Sequence, residues 1–170
     1  SEGALHEESL RAVFEFNVEA GVHGFWVAGG TGESILLSDE ENRRIAEIVS
    51  DQNRGRVKNI MHVGAPTTER AVALARYAAS VGVEAICSIP PFFYRRTDEE
   101  IVEHYRAVGD AAGLPLFVYN LPSATRVDLT RRVTELLGAP SVGGSQAQPV
   151  RHTPPPSQST PSTSCLLYTS

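Results

Sequence analysis

Three stretches of the chain combine residue types that could do chemistry. In the first, the apolar run Phe25-Trp26-Val27-Ala28 leads into Gly29-Gly30-Thr31-Gly32-Glu33. Glycines let backbone N–H groups close on an anion, and the Thr31 hydroxyl adds another donor. No Gly-Lys-Ser/Thr follows, so this is not a Walker loop, and Ile35 stands where the third glycine of a dinucleotide fingerprint belongs. The donors around Gly30, Thr31 and Gly32 suit a small carboxylate better than a pyrophosphate. A tight strand-to-helix turn that holds nothing is the alternative. The second stretch, Phe117 to Thr125, puts Tyr119 at the end of an apolar run, with Asn120 and Pro122 to fix the turn after it. Tyr119 either brings its phenol to the same rim as the glycine turn or caps the core. In the third, Ile89 to Thr97, the aromatics Phe92, Phe93 and Tyr94 could wall a pocket. Arg95 and Arg96 read as solvated charges, with anion contacts as the alternative.

Such residues need elements to position them, and the pattern supplies them. Leu10, Val13, Phe14 and Val18 recur at helical spacing, and Gly21 follows as a stop. Phe25 to Ala28 reads as a short buried strand. Ser38 with Glu41 forms a capping box ahead of Ile45, Ile48 and Val49. Ile60 to Val63 is the next strand, and Thr67 opens a helix carrying Val72, Ala75 and Ala79. Ala85 to Ile89 is a strand, Thr97 with Glu100 caps a helix, Leu116 to Tyr119 is a fourth strand, and residues 128–137 form a further helix. Three helix-to-strand joints, AGVHGF, VGVEAI and AGLPLF, each put glycine where a helix must end. Strand starts recur about every 30 residues, as repeated βα units in a parallel sheet require. The fold class is α/β. A (β/α)8 barrel and an open doubly wound sheet both fit the pattern, and both put function in the loops after the strands.

Composition narrows the function. The 170 residues are 41% hydrophobic and 21% charged, with a net charge of −5 and both signs interspersed. That argues against a nucleic-acid partner, which needs a basic face, and against a polybasic membrane patch. No apolar run approaches the ~20 residues that span a bilayer, and the acidic first residues do not resemble a signal peptide. A soluble, cytoplasmic protein is expected. Cys87 lies in an apolar run and reads as a buried, inert thiol, while Cys165 lies in a polar tail. The five histidines show no ligand spacing, so neither a metal nor a cofactor is expected. Residues 145–170, rich in Ser, Thr, Pro and Gln, should be disordered because they bury too little to offset chain entropy.

The segments GGTGES, HVGAPTTERAVALARYAASVGVEAICSIPPFFY and GLPLFVYNLPSAT together resemble the dihydrodipicolinate synthase/N-acetylneuraminate lyase family, in order and spacing, over residues 1–144. The resemblance implies a (β/α)8 TIM barrel and class I aldolase chemistry on pyruvate, in a homotetramer. A lysine ending the sixth strand would form a Schiff base with the keto carbon. Carried over, Thr31 with the backbone at Gly30 and Gly32 would bind the pyruvate carboxylate. Tyr119 would carry the proton to and from the reacting oxygen. Phe93 stands where the family has a second tyrosine, and Gly30 where it has a first hydroxyl. Ala124 occupies the place at which synthases carry an arginine. With Ala124, the segments IMHVGA and LPSAT make the resemblance strongest to the N-acetylneuraminate lyase-like branch, while the Gly30 variant is similar to sugar-acid dehydratases of the family. The resemblance implies cleavage of a sugar keto acid to pyruvate and an aldehyde, with sugar-acid dehydratase or aldolase second and dihydrodipicolinate synthase third.

One residue type is missing. The chain has a single lysine, Lys58, which precedes the strand Ile60–Val63 and so sits at the wrong end of it. The family lysine would follow SVGG (141–144), where the texture switches abruptly to SQAQPVRHTPPP. The expectation is a partial barrel over residues 1–144, about strands 2–5 and the start of strand 6, with a frameshifted or read-through tail over 145–170. An inactive carboxylate-binding α/β module is the alternative to a truncated aldolase.

Overall fold

The computed structural model describes residues 5–138 throughout and the backbone of 148–151 and 164–169. Its first half alternates strictly: α1 (Glu7–Glu19), β1 (Gly24–Val27), α2 (Asp39–Asn53), β2 (Lys58–His62), α3 (Thr68–Ser80), β3 (Ala85–Ser88), α4 (Asp98–Ala112) and β4 (Leu116–Asn120). Strands β1 to β4 lie side by side in chain order, all parallel. The four units make a partial α/β barrel.

Local chemistry explains where each helix begins and ends. Ser38 and Thr97 both form full capping boxes, their hydroxyls accepting from Glu41 and Glu100 N–H at 3.2 Å while those carboxylates accept from the cap N–H at 2.8 Å. Thr67 caps α3 by accepting from Arg70 N–H. Each such cap is worth about 1 kcal/mol. The three glycine joints behave as the sequence implies: Gly21, Gly82 and Gly113 take φ of +87°, +88° and +63°. Interhelical ion pairs on the outside, Arg44 with Glu7 and Arg70 with Asp39, account for the interspersed charge. Exposed as they are, solvent screens them and they add little to stability.

Register separates the two faces of the sheet. Val27, Met61, Ile86 and Leu116 are aligned across the strands and buried beneath the helices. Ala71, Ala75 and Ala78 give α3 a small-residue face that packs into the same core. The opposite face carries Trp26 beside Ile60, then His62, Cys87 and Phe117 in one row, and Tyr119 two residues further along β4. Trp26 meets Tyr119 edge-on, ring centroids 5.3 Å apart. Cys87 is buried, as its apolar surroundings suggest.

After β4 come a single turn, α5 (Pro122–Thr125), and α6 (Arg131–Leu136), shorter than the helix expected over 128–137 because Thr130 caps it. The segment 141–144, where a sixth barrel strand was expected to open, lies outside the described residues. Within the tail expected to be disordered, the structure places β5 (Gln148–Arg151) and β6 (Ser164–Thr169). β6 adds parallel to β4, and β5 pairs antiparallel with β6. The reason is physical: β4 otherwise presents a bare edge, and Cys165-Leu166-Leu167-Tyr168 is the one apolar run in the tail able to pair with it.

Candidate active site

The glycine turn after β1 is strained at its ends and empty in its middle. Ala28 and Glu33, neither of them glycine, hold φ of 52° and 53°. Left-handed backbone costs a residue with a Cβ about 1–2 kcal/mol and persists where the surroundings over-determine it. The three glycines serve space instead. A Cβ on Gly29 would stand 2.9 Å from Trp26 Cδ1, and one on Gly32 would stand 3.0 Å from Ala28 Cα. Gly30 is different, because nothing lies within 4 Å of its would-be Cβ. Glu33 N–H donates to the Gly30 carbonyl at 3.1 Å and closes the turn.

Two hollows meet at this turn, one of about 310 Å³ and one of about 210 Å³, and both are bordered by Gly29, Gly30 and Tyr119. Trp26, Thr31 and Gly32 complete the smaller. The structure thus brings together Gly30, Thr31, Gly32 and Tyr119, as the strand-end rule requires. Asn120 fixes the return loop: its amide donates to Asp128 at 2.9 Å and its carbonyl accepts from Leu129 N–H at 3.1 Å. That loop lays Leu121 and Ala124 along the larger hollow.

Sequence reasoning missed two residues of this hollow, Ser34 and His62. His62 ends β2, and its Nδ1 lies 3.0 Å from Ser34 Oγ. Burial pushes the imidazole down to about 4, so it is neutral at pH 7. Position alone could have flagged it: among the described residues it is the one histidine that ends a strand.

Phe93 lines neither hollow within this chain: it is 83% exposed, at φ 82°, and rests edge-on against the exposed Tyr94. The buried Pro90-Pro91 pair carries the chain past the rim, so Ile89 rather than Phe93 walls the larger hollow. Arg96 pairs with Glu100 at 3.4 Å on the surface, a solvated charge. Lys58 opens β2 at the far end of the strand from His62, with its ammonium 3.9 Å from Glu84. Among the described residues no cluster of His, Cys, Asp and Glu is placed to hold a metal ion, and no helix is long and apolar enough to cross a membrane.

Known proteins resemble this chain in sequence and in fold. The N-acetylneuraminate lyase of Shigella boydii serotype 4 (strain Sb227) is 39% identical over 142 residues, 82% of this chain and 48% of that protein. A solved dihydrodipicolinate synthase superposes with a TM-score of 0.77 at 36% identity, over 81% of this chain and 48% of its own. CdNal from Clostridium difficile, in complex with mannosamine, gives 0.77 at 34% identity, over 80% and 48%. The chain spans about half the length of the curated relatives it matches. Its neighbours are TIM barrels, which decides the architecture left open by the pattern: the parallel arc is part of a barrel and not of a doubly wound sheet. The Dihydrodipicolinate synthetase family model matches residues 1–147, and the chain belongs to that family.

Proposed function

We propose that this chain is part of a Schiff-base-forming pyruvate lyase of the N-acetylneuraminate lyase type, cleaving a sugar keto acid to pyruvate and an aldehyde. The observation that carries the reading is the lining of the larger hollow. Beside the glycine turn and Tyr119, the only acidic side chain among its described lining residues is Glu33, and Ala124 contributes a methyl group. Among the described residues no Lys or Arg borders it to hold a second carboxylate, so a neutral, hydroxyl-rich aldehyde suits it better than the dicarboxylic partner of a synthase. Its likeness in sequence to N-acetylneuraminate lyases supports the same choice.

In this reading the turn at Gly30, Thr31 and Gly32 holds the pyruvate carboxylate by backbone N–H groups and one hydroxyl. Tyr119 relays the proton of the substrate hydroxyl as the carbon–carbon bond breaks: its phenol oxygen takes that proton while its own O–H proton passes to an oxygen of the bound carboxylate, and the relay runs backwards in the reverse direction. The electron pair of that bond passes to an iminium formed with a lysine. Lys58, at the opposite end of β2, cannot supply it, so the nucleophile comes from sequence that this chain does not contain. The intact enzyme is cytoplasmic and a homotetramer, works without a cofactor, and has no nucleic-acid or membrane partner.

Borohydride reduction of the full-length protein with pyruvate should fix a pyruvate-derived mass on a lysine, and N-acetylneuraminate should yield free pyruvate. An adduct without that cleavage transfers the protein to the sugar-acid dehydratases or the synthases. No adduct leaves an inactive carboxylate-binding module.

A further inference from the structure

Ser34 and His62 belong to different βα units, 28 residues apart, and neither lies in the carboxylate turn or on the tyrosine strand. Both are buried, 7% and 3% exposed, yet both line the larger hollow. Each is clamped from behind. The buried Asn42 amide donates to the Ser34 carbonyl at 2.9 Å and to the Ser38 carbonyl at 3.1 Å. Gly64 lies against the imidazole so closely that a Cβ there would stand 2.8 Å from His62 Nε2 and 2.6 Å from Ile89 Cγ1. Buried polar groups are costly unless satisfied, and a pair held this firmly at the wall of a cleft is built to face something. Gly30, across the same hollow, offers backbone alone, with open space where a side chain would stand.

We propose that this pair delivers one oriented hydroxyl proton to a carboxylate oxygen of the 2-keto acid bound in the cleft, supplying the side-chain donor that Gly30 lacks. The inference rests on the pyruvate reading above. Neutral His62 donates its Nδ1–H to Ser34 Oγ, and Ser34 O–H then points at the ligand. A chain of hydrogen bonds that ends on an anion strengthens each of its members. The opposite arrangement, Ser34 donating to Nδ1, would turn hydroxyl lone pairs toward a carboxylate and repel it. No proton changes owner; Ser34 touches the ligand and His62 is the positioning residue behind it.

Imidazole ¹⁵N shifts of the full-length protein with and without pyruvate read the His62 tautomer, and the pyruvate dissociation constant reads the contact. The expected result is an Nδ1–H tautomer in the pyruvate complex. Ser34→Ala should weaken pyruvate binding about tenfold or more, as loss of a charge-assisted hydrogen bond does. His62→Asn, whose amide can reach the Nδ1 position, should keep most of the affinity that His62→Leu loses. Gly30→Ser, added to Ser34→Ala, should restore part of it. An Nε2–H tautomer in the complex overturns the inference whatever the variants do. Unchanged affinity in Ser34→Ala also overturns it, with the pyruvate site intact. A wild type that binds no pyruvate removes the pyruvate reading and this inference with it.

Discussion

The contact between Gly29 and Trp26 turns the glycine turn into a measurable quantity. Gly29→Ala would place a Cβ 2.9 Å from Trp26 Cδ1 and 3.1 Å from its Nε1, closer than packed atoms tolerate. The indole must give by roughly half an ångström, and overpacking of this kind costs about 1–3 kcal/mol. Trp26 cannot move alone, because Tyr119 packs edge-on against it at 5.3 Å between centroids. The displacement therefore reaches the phenol, and an ångström at a reacting group is worth about a hundredfold in rate. Trp26 is the single tryptophan of this chain, so its emission reports on this contact. Gly29→Ala should shift that emission and lower the urea midpoint of the chain, and should slow the full-length enzyme by about tenfold to a hundredfold. Gly30→Ala is the control, since its Cβ meets nothing within 4 Å. Equal effects of the two substitutions on emission and midpoint would refute the steric argument.

Tyr119→Phe in the full-length enzyme should lower kcat by about 10²–10⁴-fold while pyruvate still binds, the contribution of a general acid/base; an unchanged kcat leaves the ring a packing role only. Thr31→Val should weaken pyruvate binding by roughly 1.5–3 kcal/mol, the worth of a hydrogen bond to a charged group, read by titration. Acid should unfold the chain through two buried histidines. Burial depresses His62 and His104 from 6.5 to about 4, so the unfolded state takes up protons first as the pH falls. Their neutral forms cost the fold nothing above about pH 6.5, and stability is lost between there and about pH 4, by up to about 3 kcal/mol each. Urea midpoints across that range should fall more steeply in the wild type than in His62→Asn, and parallel curves would discount the burial of His62.

Much of the positioning was legible because it is local. The Ser38–Glu41 and Thr97–Glu100 boxes and the glycines at 21, 82 and 113 act over three or four residues, and the structure keeps each of them. Gly30, Thr31, Gly32 and Tyr119 were legible for another reason: each stands where a strand ends, and parallel strands deliver all such ends to one rim. What could not be read was the sense of each strand's alternation. Phe25-Trp26-Val27 is apolar throughout, so only register and the Phe14–Phe25 ring stack show that Phe25 faces α1 while Trp26 faces the cleft. The pairing of Ser34 with His62 was hidden by the same limit, since a contact across 28 residues exists only once β1 and β2 are side by side.

Neither the direction of Phe93 nor the pairing of the tail could be read from the sequence, for opposite reasons. An aromatic loop after a strand reads as a pocket wall, but its direction is set by backbone: the Pro90-Pro91 pair and a left-handed Phe93 send the ring to solvent. In the tail, average composition hides a short exception. Most of residues 145–170 lack apolar periodicity, yet Cys165 to Tyr168 can pair, and β4 offers the unpaired N–H and C=O groups that such a run seeks. Edge pairing draws on backbone more than on side chains, so the polar character of its surroundings does not prevent it. In an intact barrel the same edge of β4 belongs to the next barrel strand.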